Sequence, residues 1–227
     1  KKNFKFFGTA QDHKRVGNND TGPNTGGMGA YSPSPIFNKE LENKIIKRIV
    51  KPTLLALKKK KKNYTGFLYV GLMVKNNEPY LIEYNVRMGD PECQVIIPRL
   101  ETDILKIFKK LTANRLDKIK IKWKKSKCMT IVLCAKGYPK KYQKDIKIKN
   151  LKKIKERKNL FIFHAGTKLL NGEYFSVGGR VLNFTALGSK FLTIRKNILR
   201  IIKNLNWKKG FYRKDIGWRA IKNNANY

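Results

Sequence analysis

The chain has 227 residues, 41% of them hydrophobic and 11% aromatic, which is enough for one large domain or two small ones and excludes global disorder. Its 52 Lys and Arg against 15 Asp and Glu give a formal charge of +37, so an acidic partner, nucleic acid above all, is the function class that composition alone raises. Three cysteines without CxxC spacing argue against a disulfide framework or a zinc site, and no apolar run reaches the length of a membrane span.

The opening "KKNFKFFGTA" lacks a long apolar core or cleavage site, so it does not read as a signal peptide, and residues 4–10 are expected to form a short strand. The absence of an initiating Met points to a start inside a longer polypeptide, and the reduced-thiol pattern to the cytoplasm. "QDHKRVGNNDTGPNTGGMGAYSPSP", residues 11–35, reads as one long loop, and loops of that length in compact domains are functional or disordered. Asp12, His13, Lys14 and Arg15 open it with groups able to orient an anionic, amine-bearing substrate or to form exposed ion pairs. Gly22, Gly26, Gly27 and Gly29 permit close backbone approach, for an anion or for a plain turn. The loop has neither the GK[ST] ending of a Walker A motif nor a GxGxxG.

Asn38 is the expected N-cap of a helix carrying Leu41, Ile45, Ile46, Ile49 and Val50 at helical spacing, kinked or split by Pro52, with the solvated lysine run 58–62 at its end. "YTGFLYVGLMV" and "PYLIEYNVRM" form a hairpin around "KNNE". On the second strand, alternation puts Glu83, Asn85 and Arg87 on one face and Ile82, Tyr84 and Val86 on the other. A carboxylate and an amide oxygen two residues apart are hard ligands suited to Mg²⁺, with an arginine beyond them to hold a phosphate. The alternative is an edge strand with a polar outer face. Asp90 and Pro91 then read as the cap and first turn of a helix running toward Leu111, with Glu92 at its positive end.

Beyond about residue 112, "DKIKIKWKKSK" reads as a basic linker or edge strand. The apolar strand "CMTIVLCAKGYP" follows, then "LFIFHAGTKLL", "YFSVGGRVLNFTALG" and the helix "SKFLTIRKNILRIIKNL". His164 reads as structural or exposed, and Cys93 as a packed thiol with no histidine near it in sequence.

Taken in order, "QDHKRVGNNDTGPNTGGMGAYSPSP", "YTGFLYVGLM", "LIEYNVRMGDPECQ", "FHAGTK", "GGRVL" and "RKDIGWRAI" resemble the phosphoribosylamine–glycine ligases, ATP-grasp enzymes of purine biosynthesis. The resemblance runs from residue 4 to 222 and covers only the C-terminal half of the family's length. It implies an α+β fold: the C-terminal part of an ATP-grasp catalytic domain over residues 1–112, then a small strand-rich C-terminal domain over 113–227. It implies an ATP-dependent carbon–nitrogen ligase joining glycine to 5-phosphoribosylamine through glycyl phosphate, with ATP as co-substrate. Glu83 and Asn85 match the family's Mg²⁺ or Mn²⁺ ligands, and Arg87 lies in its R-F-G-D-P-E signature as the catalytic contact to phosphate or to the acyl-phosphate intermediate. Asp12, Lys14, Arg15, Gly26, Gly27 and Gly29 match the region that meets substrates. Asp90 and Glu92 are expected to start a helix that fixes the strand's end, so the acids of this stretch divide between metal and structure. Met88 stands where the signature has Phe, a volume-tolerant exchange, and "GNNDTG" relaxes the loop's usual charge. The resemblance further implies that catalysis needs the family's N-terminal half, fused or separate, which carries the part that clamps adenine.

Two other function classes remain. A basic nucleic-acid-binding module rests on charge alone, shows no RNP1-type stacking motif, and would be marked by steep salt dependence of binding. The lysine excess travels with Asn and Ile, residues of A+T-rich codons, which favours charge spread over solvated faces, with nucleic-acid affinity at most incidental. The third class is an inactive remnant of the ligase. No membrane partner is expected.

Overall fold

The computed structural model describes residues 4–62, 64–155 and 157–223, the last without its side chain. In chain order the strands are β1 (Gln11–Asp12), β2 (Gly29–Ser32), β3 (Tyr69–Lys75), β4 (Glu78–Asn85), β5 (Lys127–Ala135), β6 (Ile146–Lys147), β7 (Leu160–His164), β8 (Thr167–Leu170), β9 (Glu173–Ser176), β10 (Arg180–Gly188) and β11 (Gly210–Phe211). The helices are α1 (Lys39–Ile45), α2 (Lys51–Lys59), α3 (Cys93–Ile96), α4 (Ile104–Thr112), α5 (Phe191–Leu205) and α6 (Trp218–Asn223).

The residues fall into two compact units interleaved along the chain. The first takes the described residues up to Thr9, with Ser34–Gly89 and Leu100–Lys122. Residues 4–10 hold no strand. They are fixed instead through their rings, with Phe6 stacked on Phe37 at 5.1 Å and Phe7 tilted on Phe67 at 4.9 Å. The Asn38 side chain accepts from Leu41 N, which caps α1 as its sequence predicts. A π-helical turn, Ile46–Val50, joins α1 to α2, and Pro52 sits in the first turn of α2. The proline therefore redirects the hydrogen-bond ladder without ending the helical run.

β3 and β4 pair antiparallel through the Asn76–Asn77 turn. Both turn residues have positive φ, 52° and 59°, the requirement of a type I′ turn, which asparagine tolerates. The pair forms a two-stranded sheet of its own. α4 is a separate helix with Asp103 as its side-chain N-cap. The single helix expected from Asp90 to Leu111 is thus broken: α3 spans four residues, and the 3₁₀ turn Ile97–Arg99 with Pro98 ends it. Asp90 is not a helix cap, because α3 begins at Cys93 and is preceded by Glu92. The "DKIKIKWKKSK" stretch overlaps the 3₁₀ turn Leu116–Lys118 at its start, holds a single bridge residue at Trp123 and enters β5 at Lys127, so most of it is a linker.

The second unit takes Ala10–Pro33, Asp90–Arg99 and the residues from Trp123 on. Its main sheet runs β1-β2-β5-β10-β7, with β11 also on β5. All of these pairs are antiparallel. β2 lies inside the stretch expected to be a loop: Gly29–Ser32 pairs with Cys128–Ile131 and is buried throughout. β5 and β10 are almost wholly buried, which suits their unbroken apolar runs. On one face α5 sends Phe191, Ile194, Ile198, Ile202 and Leu205 into the core with Met129, Ile131, Leu133 and Phe184. Val95 of α3 joins a smaller cluster with Ala30, Cys128 and Leu187. A second sheet, β6-β9-β8, completes this unit. No described helix is long and apolar enough to cross a membrane.

Candidate functional site

In the first unit, strand β4 carries Glu83 opposite Gly71 and Asn85 opposite Tyr69. Their side chains meet on one face, where Asn85 Nδ2 donates to Glu83 Oε1 at 3.1 Å. Tyr84 points to the other face, where its hydroxyl meets that of Thr53 on α2. Arg87 lies past the end of β4, and its guanidinium donates to the Met88 carbonyl at 2.9 Å. The strand alternation therefore joins Glu83 to Asn85 and does not carry Arg87 with them. An exposed carboxylate beside an amide is a donor set suited to a hard divalent cation that keeps waters and phosphate oxygens in its other positions. Among the described residues no group of three or more His, Cys, Asp or Glu could hold a metal alone.

In the second unit, Asp12 sits at the end of β1 with its side chain only 7% exposed. Lys14 Nζ lies 2.6 Å from its carboxylate. Burial and the nearby negative charge of Glu92 outweigh that cation and raise the Asp12 carboxyl to about 7. Gly27 closes the loop over this acid: at φ 119°, a β-carbon there would stand 2.4 Å from Pro91 Cδ and 2.9 Å from Asp12 Oδ1. Gly29 serves packing, since a β-carbon would come within 2.6 Å of the Thr130 carbonyl.

The N–H groups of residues 25–28 are engaged within the protein. Thr25 donates to the Lys14 carbonyl, Gly26 to Tyr138 Oη, Gly27 to Thr25 Oγ1 and Met28 to the His13 carbonyl. The loop is a fastened turn, not an open nest of donors for an anion. Lys14 and Arg15 are exposed, with Lys14 turned onto Asp12 and Arg15 donating to the Gly22 carbonyl at 2.7 Å.

Arg180, which motif reading of isolated segments does not single out, ties this region together. It donates to the Gly26 carbonyl at 2.9 Å, to the Asp90 carbonyl at 2.8 Å and to Asp90 Oδ2 at 3.0 Å. Asp90 also accepts from Gln94 at 2.9 Å. Its carboxylate thus anchors Arg180 and α3, a role that no local pattern could reveal because Arg180 is 90 residues away. The "GGRVL" block was the available signal. His164 bonds Thr167 at 2.7 Å and packs on Tyr174, a structural contact. Burial pushes the thiols of Cys128 and Cys134 up to about 12 and raises that of Cys93, so none of the three is activated.

The ATP-grasp (A) domain of phosphoribosylglycinamide synthetase matches residues 1–93 and its C domain matches residues 128–219. The α+β fold is therefore that of an ATP-grasp part followed by a strand-rich C-terminal domain. Phosphoribosylamine–glycine ligase of Brucella melitensis is 42% identical over 215 residues, covering 95% of this chain and 50% of that protein. The chloroplastic ligase of Arabidopsis thaliana is 44% identical over 94% of this chain and 41% of its own length. The crystal structure of the Thermotoga maritima ligase superposes with a TM-score of 0.78 at 31% identity, over 92% of this chain and 51% of that one. The chain belongs to the phosphoribosylglycinamide synthetase family. It spans about half the length of the relatives it matches.

Proposed function

We propose that this chain supplies the metal-holding strand and the C-terminal domain of a phosphoribosylamine–glycine ligase. A glycine carboxylate oxygen attacks the γ-phosphorus of ATP and ADP leaves. The amine of 5-phosphoribosylamine then attacks the glycyl carbonyl carbon, phosphate leaves, the nitrogen gives up a proton, and glycinamide ribonucleotide results. The observation that carries this reading is the pairing of Glu83 with Asn85 on one strand face, inside the ATP-grasp match.

Those two residues would hold Mg²⁺ or Mn²⁺, which, when bound, offsets the charge of the phosphate oxygens. Binding requires the Asn85 amide to release Glu83 and present its oxygen. Arg87, exposed at the strand end, is free to turn from the Met88 carbonyl to a phosphate oxygen. Lys14 and Arg15 attract the anionic substrate, while Gly27 lets the backbone close around Asp12, Gly26 makes room for Arg180 and Gly29 for the Thr130 carbonyl. Family matches that end at 93 and resume at 128 support a sequence boundary near residue 112, while the compact units interleave, with residues 10–33 and 90–99 in the unit of the C-terminal residues.

The partner implied is the remaining, N-terminal portion of the ligase. Support comes from β3 and β4, which have no further strand partner among the described residues. Tyr80 and Ile82 there are 55% and 65% exposed, and Val86 just past the end of β4 is 73% exposed, unusual for apolar residues on and beside a strand. A cytoplasmic or plastid setting follows from the reading as a purine-pathway enzyme. ADP release is the test: it should require Mg²⁺ or Mn²⁺, glycine and 5-phosphoribosylamine together. ADP release indifferent to glycine would overturn the assignment.

A further inference from the structure

Residues 11–32 form an arm that folds back on itself. Arg15 bridges Asn24, Val16 N donates to the Pro23 carbonyl at 3.1 Å, and Gly17 N donates to the Thr21 carbonyl at 2.9 Å. Its tip, Asn18–Asp20, contains two residues in the left-handed region, Asn19 and Asp20, both at φ 56°. None of the residues of this polar tip is buried.

A distant segment fastens it. Lys214 N donates to Asn18 Oδ1 at 2.9 Å, and Asn19 N donates to Asp215 Oδ2 at 2.8 Å. Arg213, only 1% exposed, donates to Asp20 Oδ1 at 2.9 Å and to the Arg15 carbonyl at 3.0 Å. Its other edge takes Asp215 in a two-point bond, 2.8 and 2.7 Å. Arg219 holds the second oxygen of Asp20 at 2.5 Å. Two guanidinium groups and two carboxylates thus form a balanced set, which is the condition for burying Arg213.

His13 belongs to the same set. Gly217 N donates to His13 Nε2 at 2.9 Å, so that nitrogen is an acceptor and the ring hydrogen resides on Nδ1. Nδ1 faces Asp20 Oδ1 at 3.6 Å. Burial and the charge of Arg213 lower His13 to about 4 against the pull of Asp20 and Asp215, so the ring is neutral at physiological pH.

The main chain is therefore held at each residue that flanks or carries the two outward cations. His13 N donates to the Gly29 carbonyl, Thr25 N to the Lys14 carbonyl, and Arg213 to the Arg15 carbonyl. We propose that Arg213, Asp215 and His13 are positioning residues that clamp the arm so that Lys14 and Arg15 meet a phosphate-bearing substrate already ordered. The clamp acts through the Arg15 carbonyl and Asp20, not by touching the substrate, and removes the ordering cost from binding. It rests on the reading that Lys14 and Arg15 face substrate.

Asp215→Asn tests it, because the side chain keeps its shape and loses the charge. With the N-terminal half of a relative present, calorimetry with ribose 5-phosphate as the phosphate probe should give roughly tenfold weaker binding, with ATP binding unchanged. Amide hydrogen exchange should show residues 13–22 losing about tenfold protection while β5 and β10 keep theirs. Arg213→Lys, able to hold one carboxylate and not both, should fall between the wild type and Arg213→Ala in both readouts. Unchanged protection of residues 13–22 in Asp215→Asn would overturn the clamp, as would equal weakening of both ligands, the mark of a general structural loss. A wild-type chain that binds neither ligand with the N-terminal half of a relative present would remove the ligase reading, and the exchange experiment would still decide the clamp.

Discussion

β5 and β4 are strands of similar length with opposite surroundings. Eight of the nine residues of β5, Cys128 to Ala135, are buried, whereas in β4 five of eight, Leu81 to Tyr84 with Tyr80, are exposed. β5 has β2, β10 and β11 as partners and a helix across its face. β4 has β3 alone. A two-stranded hairpin is marginal by itself in water, so β3 and β4 depend on α1 and α2 through Lys44 and Arg48 on Glu78 and the contact of Thr53 with Tyr84. The contrast separates a finished core from a surface that retains the composition of an interior. The proposed metal-holding residues lie on the second kind of strand.

The two strands should respond differently to substitution and to an added partner. Supplying the N-terminal half of the Thermotoga maritima ligase as a separate chain should raise ADP release from background to measurable turnover, and the double variant Ile82→Lys, Val86→Lys should abolish the gain. Given an active assembly, Glu83→Gln should lower ADP release about 100-fold, read as kcat at saturating metal. Phe184→Ala, in the finished core, should cost about 3–5 kcal/mol in urea unfolding, while Val86→Ser should change stability by no more than about 0.5 kcal/mol. Equal costs at these two sites would show that the hairpin is already covered in solution.

The smallest effect is on pH dependence. His13 has its folded value lowered to about 4 from 6.5, so its contribution to stability is present above about 6.5 and is lost as pH falls toward 4. His13→Gln, which keeps an acceptor for Gly217 N, should flatten the melting temperature over that window. Asp12 acts in the opposite sense: its raised value disfavours the folded state increasingly as pH rises from about 4 to 7. Asp12→Asn should flatten that limb.

Much of the fold is legible in the sequence where the pattern is local. The Asn38 cap, the Asn76–Asn77 turn and the unbroken apolar runs of β5 and β10 each follow from neighbours a few residues apart. The misread parts depend on distant partners. Gly29–Ser32 resembles loop chemistry until β5, a hundred residues on, supplies its ladder. Asp90 resembles a helix cap until Arg180 takes its carboxylate. The first residues lack a strand because their aromatic rings pack instead. For the site, strand alternation brings Glu83 to Asn85 and fails at Arg87, where the strand has ended. The Arg213 clamp is invisible locally, since its bonds span 193 and 198 residues.

The central claim is that Glu83 and Asn85 make this chain the metal-holding part of a glycine-activating ligase. The most direct measurement is Mn²⁺ binding by water-proton relaxation in the presence of ATP, with the N-terminal half of a relative added, for the wild type and Glu83→Gln. The account predicts a bound-metal signal for the wild type that Glu83→Gln reduces at least tenfold. An equal signal from both proteins would contradict it.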